Sequence, residues 1–246
     1  MQTVLSLHCL KQLMRYTRSI VFPEYYHSET EPNSGFAEIL RSQIATIMPS
    51  EAESITREVV SQLPELKRLV YTDVEAVLHN DPAVTDKGEV ILCYPLTMVM
   101  LHYRLAHILY RLGVKRIPRM LTEMAHSRTG IDIHPAAQIG AYFCIDHGTG
   151  VVIGATAIIG EHVVLYQGVT LGAKNFHYDA AGLPIDEPRH PILEDHVTVY
   201  SNTSILGRVR IGHDTVIGGN VWLTQDVPAN SMVLQTTPEI RLLNRK

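Results

Sequence analysis

The sequence has little cysteine, few aromatic residues and no excess of basic charge. Its three cysteines, Cys9, Cys93 and Cys144, are too few and too widely spaced in 246 residues for a disulfide framework or a paired-cysteine metal site. Twenty-one lysines and arginines stand against 25 aspartates and glutamates, which gives a formal charge of −4. Nucleic acid binds to a basic surface, so we expect no nucleic-acid partner. The unpaired cysteines indicate a reducing compartment.

Long hydrophobic runs are also missing. The longest apolar stretch, residues 90–101, holds twelve residues and contains Pro95, whereas a helix that spans a bilayer needs roughly 20. The first segment, MQTVLSLHCLKQLMR, has no basic residues ahead of its apolar ones, which argues against a signal peptide. We therefore expect a cytoplasmic protein that has no membrane partner.

The first half of the chain has the apolar spacing of helices. From about residue 34 to 129 apolar residues recur three or four positions apart, and one such face comprises Met98, Leu101, Leu105, Ile108, Leu109 and Leu112. Gly113 is a helix stop, and Ser50 with Glu53 has the pattern of a capping box. The first 30 residues are ambiguous, and EYYHSETEPNSG (24–35) is typical of a polar linker. We predict an all-helical domain over residues 1–130.

After residue 130 the apolar period becomes six. Three sets follow it, namely Ile133, Ile139 and Ile145; Ile153, Ile159, Leu165 and Leu171; and Leu193, Val199, Ile205, Ile211, Ile217 and Leu223. Neither a helix nor an alternating strand has this period, whereas the hexapeptide repeat of a parallel β-helix does. Three repeats make one triangular coil of about 18 residues, with the aliphatic side chains inward. Such coils wind left-handed, an exception to the usual right-handed crossover, and their flat faces favour trimers.

The repeat breaks in two places. The first break is IDHGTGVVIG (145–154), where the beat slips by two residues at Asp146 and His147. The second lies between Leu171 and Leu193, where residues 173–191 must leave the coil as a loop that ends in Arg189, His190 and Pro191. A regular prism has no pocket, so we expect the chemistry at these breaks. The domains predicted are thus a β-helix over 131–235, with the loop 173–191, and a tail over 236–246.

Asp132 and His147 form a possible acid–base pair. They are 15 residues apart, a little less than one coil, which would bring them to neighbouring layers near the same corner. A carboxylate on one ring nitrogen leaves the other nitrogen free to accept a proton, as a general base requires. A lone corner histidine is more often satisfied by its own backbone, but two breaks that each carry a histidine and a charged neighbour favour a site.

Several segments at and around these breaks resemble serine acetyltransferase, the hexapeptide acyltransferase that makes O-acetylserine for cysteine biosynthesis. They are NDPAV (80–84), DIHPAAQIG (132–140), DHGTGVVIG (146–154), YQGVTLGAK (166–174), RHP (189–191) and IGGNVWLTQDVP (217–228). The order and spacing of these segments fit the family across roughly residues 75–228. The resemblance implies direct transfer of acetyl from acetyl-CoA to the hydroxyl of L-serine in a ternary complex, in a homo-oligomer that is a trimer or a dimer of trimers.

The resemblance also implies residue roles. His147 would be the general base and Asp132 its orienting carboxylate. Asp81, Asp146, Arg189 and His190 would hold the amino acid. An aspartate would bind its ammonium, and the Arg–His pair its carboxylate, for which a guanidinium fork is well shaped. Gly172, Ala173 and Lys174 would line the groove for the pantetheine arm of acetyl-CoA, between two subunits. No metal is implied.

Three departures from the family pattern concern function. Ala155, in GATAI, stands where the family has a glutamate, and LGA replaces the family's LGG at Ala173. The tail TTPEIRLLNRK ends in lysine, whereas family members that dock into cysteine synthase do so through a terminal isoleucine, so we do not expect that complex.

Other functions are compatible with the same prism. One is acetylation of a different small hydroxyl acceptor. A second is a zinc enzyme of the γ-carbonic-anhydrase type, which needs three histidines that converge on zinc at a subunit interface. The histidines in or beside the coils are His147, His162, His190, His196 and His213. A third is a non-catalytic trimeric paralogue, for which Ala155 would be the first sign.

Overall fold

The computed structural model describes residues 5–28, 31–183, 185 and 187–236. Within these residues the helices precede the strands, as predicted. The helices are α1 (Leu7–Val21), α2 (Pro32–Ala45), α3 (Ala52–Ser61), α4 (Leu63–Asn80), α5 (Lys87–Cys93), α6 (Pro95–Arg111) and α7 (Ile117–Thr129). No helix in this part of the chain combines the length and apolarity needed to cross a bilayer.

The strands that follow are short and form three parallel sheets. They are β1 (Asp132–Ile133), β2 (Gln138–Ile139), β3 (Cys144–Ile145), β4 (Val152–Ile153), β5 (Ile158–Ile159), β6 (Val164–Leu165), β7 (Thr170–Gly172), β8 (Ile192–Leu193), β9 (Thr198–Val199), β10 (Ser204–Leu206), β11 (Arg210–Ile211), β12 (Val216–Ile217), β13 (Trp222–Leu223) and β14 (Met232–Val233). The sheet orders are β1-β4-β7-β10-β13, β2-β5-β8-β11 and β3-β6-β9-β12-β14. Each strand pairs with strands one coil away, which is the architecture of a three-faced parallel β-helix.

The aliphatic repeat forms the core of the prism. Ile133, Ile153, Leu171, Ile205 and Leu223 lie in one register, and the other two sets of repeat positions stack in the same way along the other two faces. Most of these side chains are fully buried. The predicted period of six is therefore confirmed as a stack of inward-facing aliphatic residues.

The slip lengthens the first coil. Ile133 pairs with Ile153, twenty residues later, whereas Ile153 pairs with Leu171 after eighteen. The loop then separates Ile159 from its partner Leu193 by 34 residues. The coils on either side of each break thus stay in register, and the extra residues are accommodated at corners.

The N-terminal part differs from the prediction in two places. Pro32–Gly35, assigned to a polar linker, begin α2, because Pro32 stands at the start of the helix and the Glu31 carboxylate accepts a hydrogen bond from the Ser34 backbone. The capping box at Ser50 is wrong, since α3 begins after Glu51 and no side chain caps it. The helix stop at Gly113 is confirmed, with a φ of +78° just beyond α6.

A buried ion pair joins the helices to the first coil. The guanidinium of Arg104 in α6 donates to both carboxylate oxygens of Asp73 in α4, at 2.6 and 2.7 Å, and also to the carbonyl of Gly140, at 2.9 Å. Asp73 in turn accepts from the backbone N–H of Phe143 at 3.2 Å. This pair fixes α4 against the prism, and the end of α4 carries Asp81.

Candidate active site

The slip is a corner that needs glycine. Between β3 and β4 the φ angles of Gly148 and Gly150 are +84° and +82°, and a Cβ on Gly148 would overlap the side chains of Ile131 and Ile145. His147 also has a positive φ, +56°, and its side chain is 72% exposed. The corner therefore projects the imidazole from the prism, as predicted.

Two carboxylates flank this imidazole. Asp146 Oδ1 lies 3.6 Å from Nδ1 of His147. Asp81, immediately after α4, accepts hydrogen bonds from the Tyr94 hydroxyl at 2.6 Å and from the Ala83 backbone N–H at 2.8 Å. These two bonds lower the pKa of Asp81, and the charge of nearby His147 lowers it further. The Tyr94 bond also raises the pKa of Tyr94 to about 12, so Asp81 is a carboxylate held by a neutral phenol.

Asp132 does not contact His147 within this chain. Its Oδ1 lies 3.4 Å from Nη1 of Arg119, which also pairs with Glu123. The prediction that the two share a corner assumed a regular coil. The slip makes this coil twenty residues long, so Asp132 pairs with Val152, five residues beyond His147, and lies in a strand instead of at the corner.

Thr156 holds the end of the long loop. Its hydroxyl accepts hydrogen bonds from the backbone N–H groups of Arg189 and His190, at 2.9 and 3.1 Å. The same hydroxyl lies 2.8 Å from Nδ1 of His190, and the Thr156 backbone N–H donates to that nitrogen at 3.2 Å. Because Nδ1 is an acceptor, the ring proton of neutral His190 is on Nε2.

His190 is buried and neutral. Burial, together with the charges of Arg189, His134 and Arg208, lowers its pKa to about 4. The Arg208 guanidinium donates to the carbonyls of Thr156 and His190, at 2.7 and 3.0 Å. Gly154 lies against the imidazole so closely that an added Cβ would overlap the ring. The ring is thus fixed as a neutral Nε2–H donor.

Arg189 has a guanidinium with spare donors. It lies 5.7 Å from the centre of the Phe176 ring, and Nη1 is 3.4 Å from the carbonyl of Glu187. Its Nε is buried with no hydrogen-bond partner, and none of the described carboxylates forms an ion pair with it. Such a guanidinium can receive an anionic group.

The predicted coenzyme residues follow β7. Gly172 ends the strand, and its carbonyl accepts from the Gly207 backbone N–H at 3.0 Å. Ala173 is half-buried and Lys174 is exposed, with its aliphatic stem near the α-carbon of Gly207. The backbone at the loop entrance is therefore accessible along the side of the prism.

The site residues fall into two groups on one sheet. The sheet is β1-β4-β7-β10-β13. The chain enters it at β4 through the corner that carries Asp146 and His147, with Asp81 nearby, and it leaves β7 for the loop that ends in Arg189 and His190. Four residues that contact the predicted site residues were not predicted from the sequence, namely Tyr94, Arg119, Thr156 and Arg208. Only Thr156 carried a signal, since it follows Ala155 in the GATAI segment.

Within the described residues, no three of the histidines named for the zinc alternative form a group with metal-ligand spacing. Among the described residues, the group with metal-ligand spacing is Glu123, His126 and Asp132, which contains none of them. Arg119 pairs with both carboxylates of that group, which opposes a cation there. His162 instead stacks against the ring of His196, at 4.8 Å between ring centres.

The chain is similar in sequence to serine acetyltransferases of several bacteria, although no family model matches it. The plasmid serine acetyltransferase of Synechococcus elongatus is 48% identical over 77% of this chain and 60% of its own length. The serine acetyltransferase of Helicobacter pylori is 42% identical over 64% of this chain and 88% of its own length. That of Mycobacterium tuberculosis is 40% identical over 66% of this chain and 67% of its own length. The alignment thus spans less than two thirds of the Synechococcus relative.

The chain is also similar in fold to solved structures of serine acetyltransferases. Serine acetyltransferase isoform 3 of Entamoeba histolytica, in complex with cysteine, superposes with a TM-score of 0.84 at 33% identity and covers 95% of this chain and 84% of its own. The Neisseria gonorrhoeae serine acetyltransferase in complex with serine superposes with a TM-score of 0.68 at 25% identity, over 94% of this chain and 96% of its own.

Proposed function

Since the chain belongs to the serine acetyltransferase family, we propose that it transfers an acetyl group from acetyl-CoA to the hydroxyl of L-serine. The products are O-acetylserine and CoA. The observation that carries the proposal is His147, which projects from the slip corner beside Asp81 and Asp146. A relative of similar fold has serine bound, which supports the acceptor.

His147 would act as the general base. Its exposed imidazole takes the proton of the serine hydroxyl while that oxygen attacks the thioester carbonyl. The carbon–sulfur bond then breaks, and the imidazolium returns the proton to the departing sulfur of CoA. The slip corner has no serine or cysteine beside His147, so the acetyl group passes directly between the two substrates.

The two groups of polar residues suit the two ends of an amino acid. Asp81, kept ionised by Tyr94, and Asp146 would bind the ammonium. Arg189 would bind the carboxylate with its spare donors, and neutral His190 would donate from Nε2. A neutral histidine donor keeps this interaction unchanged across the physiological pH range.

We infer that a second copy of the chain completes the site. The residues proposed to bind the ammonium and those proposed to bind the carboxylate lie at opposite edges of one sheet of the same chain. In a ring of three left-handed prisms, one edge of each subunit meets the other edge of its neighbour. The helical domain, residues 1–130, would supply Asp81 and further subunit contacts. Gly172, Ala173 and Lys174 would line the acetyl-CoA groove at the same interface.

The sequence differs from the family pattern at Ala155 and at the tail. Ala155 adjoins Thr156, which keeps its hydrogen bonds to the loop without a glutamate neighbour. This supports a working carboxylate pocket over the non-catalytic alternative. Residues 237–246, on which the expectation of no cysteine synthase complex depends, lie outside the described residues.

The acceptor is tested directly by competition. Purified protein is incubated with acetyl-CoA and an equimolar mixture of L-serine, L-homoserine and a galactoside, and the products are identified by mass spectrometry. O-acetylserine as the main product supports the proposal. Acetylation of another hydroxyl, or of none, would overturn it.

A further inference from the structure

A separate cavity lies between the helical half and the slip corner. Its volume is about 420 Å³, and its walls come from α1, the α5–α6 junction, the end of α7 and Thr149. Small-molecule sites typically measure about 300–1,000 Å³. None of the residues assigned above to serine or acetyl-CoA lines it, so it is distinct from the proposed substrate site.

Two arginines give this cavity a positive charge. Arg18 and Arg128 are among its fourteen lining residues, and no aspartate or glutamate is. Within the described residues, neither guanidinium forms an ion pair or a side-chain hydrogen bond; Arg18 lies 5.2 Å from the centre of the Tyr26 ring. Both charges contribute to the lowered pKa of buried His102, so the two guanidiniums lie in the same part of the molecule.

The rest of the lining is mostly apolar or already hydrogen-bonded. Phe22, Met98 and Leu101 supply apolar surface. The hydroxyls of Thr97 and Thr129 donate to the carbonyls of Val90 and Ala125, both at 2.8 Å. The two arginines are therefore the main donors left for a ligand, and the apolar wall can hold a hydrocarbon body.

We propose that this cavity binds a small organic anion, a carboxylate or phosphate ester with an apolar body, through Arg18 and Arg128. Tyr94 lines the cavity and donates its hydroxyl to Asp81 at 2.6 Å. Thr149, which also lines the cavity, is two residues from His147. A ligand in the cavity should therefore alter the Tyr94–Asp81 contact and with it the binding of serine. This part of the proposal rests on the proposed function.

Calorimetric titration of the whole protein tests the binding without any need for activity. The probes are phenyl phosphate and phenylacetate, compared with benzyl alcohol, which lacks the charge, and inorganic phosphate, which lacks the apolar body. We expect at least one aromatic anion to bind about 10-fold or more tighter than both comparison probes, a difference of about 1.4 kcal/mol. Which anion binds tighter distinguishes a phosphate ligand from a carboxylate ligand.

Variants locate the binding. Arg18→Gln/Arg128→Gln, and Arg128→Gln alone, should weaken it by about 10-fold or more. Arg15→Gln/Arg111→Gln removes the same charge from exposed positions outside the cavity and should leave it unchanged. No binding of either aromatic anion, or equal binding in Arg18→Gln/Arg128→Gln, would overturn the site. A KM for serine that does not change when the tighter probe saturates the protein would overturn the coupling.

Discussion

The hydroxyl of Thr156 lies 2.8 Å from Nδ1 of His190, although the two residues are 34 positions apart and His190 stands at the far end of the 173–191 loop. The same oxygen accepts from the backbone N–H groups of Arg189 and His190. One side chain on the second coil therefore sets both the tautomer of His190 and the position of the proposed carboxylate-binding pair.

Thr156→Val tests this control of the loop. Valine keeps the shape of threonine but leaves two N–H donors without a partner, at a cost of about 1–3 kcal/mol per group. We expect the KM for serine to rise about 10-fold or more while the KM for acetyl-CoA stays nearly constant. Thr156→Ser, which keeps the hydroxyl, should be close to the wild type. Equal effects of the two variants would contradict the role of the hydroxyl.

Arg104→Met tests the buried pair that joins the helices to the prism. The variant leaves the Asp73 carboxylate buried without its cation, which costs about 3–5 kcal/mol. Urea denaturation at fixed protein concentration should show that loss. Asp73→Asn/Arg104→Met removes both charges and should recover part of it, because burial already raises the pKa of Asp73 and disfavours its charge. A double variant less stable than Arg104→Met would argue against this explanation.

His102 makes stability depend on pH. Burial lowers its pKa from 6.5 to about 4, so between these values the unfolded chain binds a proton that the folded chain does not. The free energy of unfolding therefore falls as the pH falls from about 6.5 to about 4, by about 3 kcal/mol for this group. Carboxylates also titrate in this pH range and change the stability. Because they do so in both proteins, the wild type is compared with His102→Leu. The variant should lose less stability than the wild type between pH 7 and 4.5. Identical losses would contradict the assignment of this pH dependence to His102.

Mixed oligomers test whether two subunits share a site. His147→Ala and Arg189→Ala chains should each be inactive alone. Random assembly of the two after co-expression pairs an intact His147 with an intact Arg189 at roughly one quarter of the interfaces. Activity near that fraction of the wild-type value is expected. Mixed oligomers no more active than either parent would place both residues in a site made by one chain.

The repeat made the prism predictable from the sequence. Each of the thirteen aliphatic positions lies in a strand, because a buried stack repeats the same requirement at every coil. The corner at Gly148 was equally visible, since a break in such a period has to be accommodated somewhere. The helical character of residues 34–129 followed from their apolar spacing, but the start of α2 depended on one carboxylate cap at Glu31.

The polar contacts were not predictable, for a physical reason. The pairs Asp73–Arg104 and Thr156–His190 join residues more than 30 positions apart, and a polar residue carries no periodic mark of its partner. Asp132 shows the same limit. Counting residues along a regular coil placed it near His147, but the coil is two residues longer, and Asp132 instead pairs with Arg119. The cavity lined by Arg18 and Arg128 likewise depends on how four helices and a corner meet.

Thiol release is the most direct test of the account. Purified protein is mixed with acetyl-CoA, with and without L-serine, and free CoA is followed with a thiol reagent. The account predicts release that depends on serine and falls at least about 100-fold in His147→Ala, the contribution typical of a general base. His162→Ala, another corner histidine with positive φ, is the matched control and should keep its activity. Serine-dependent release that survives in His147→Ala would contradict the assignment of the base at the slip.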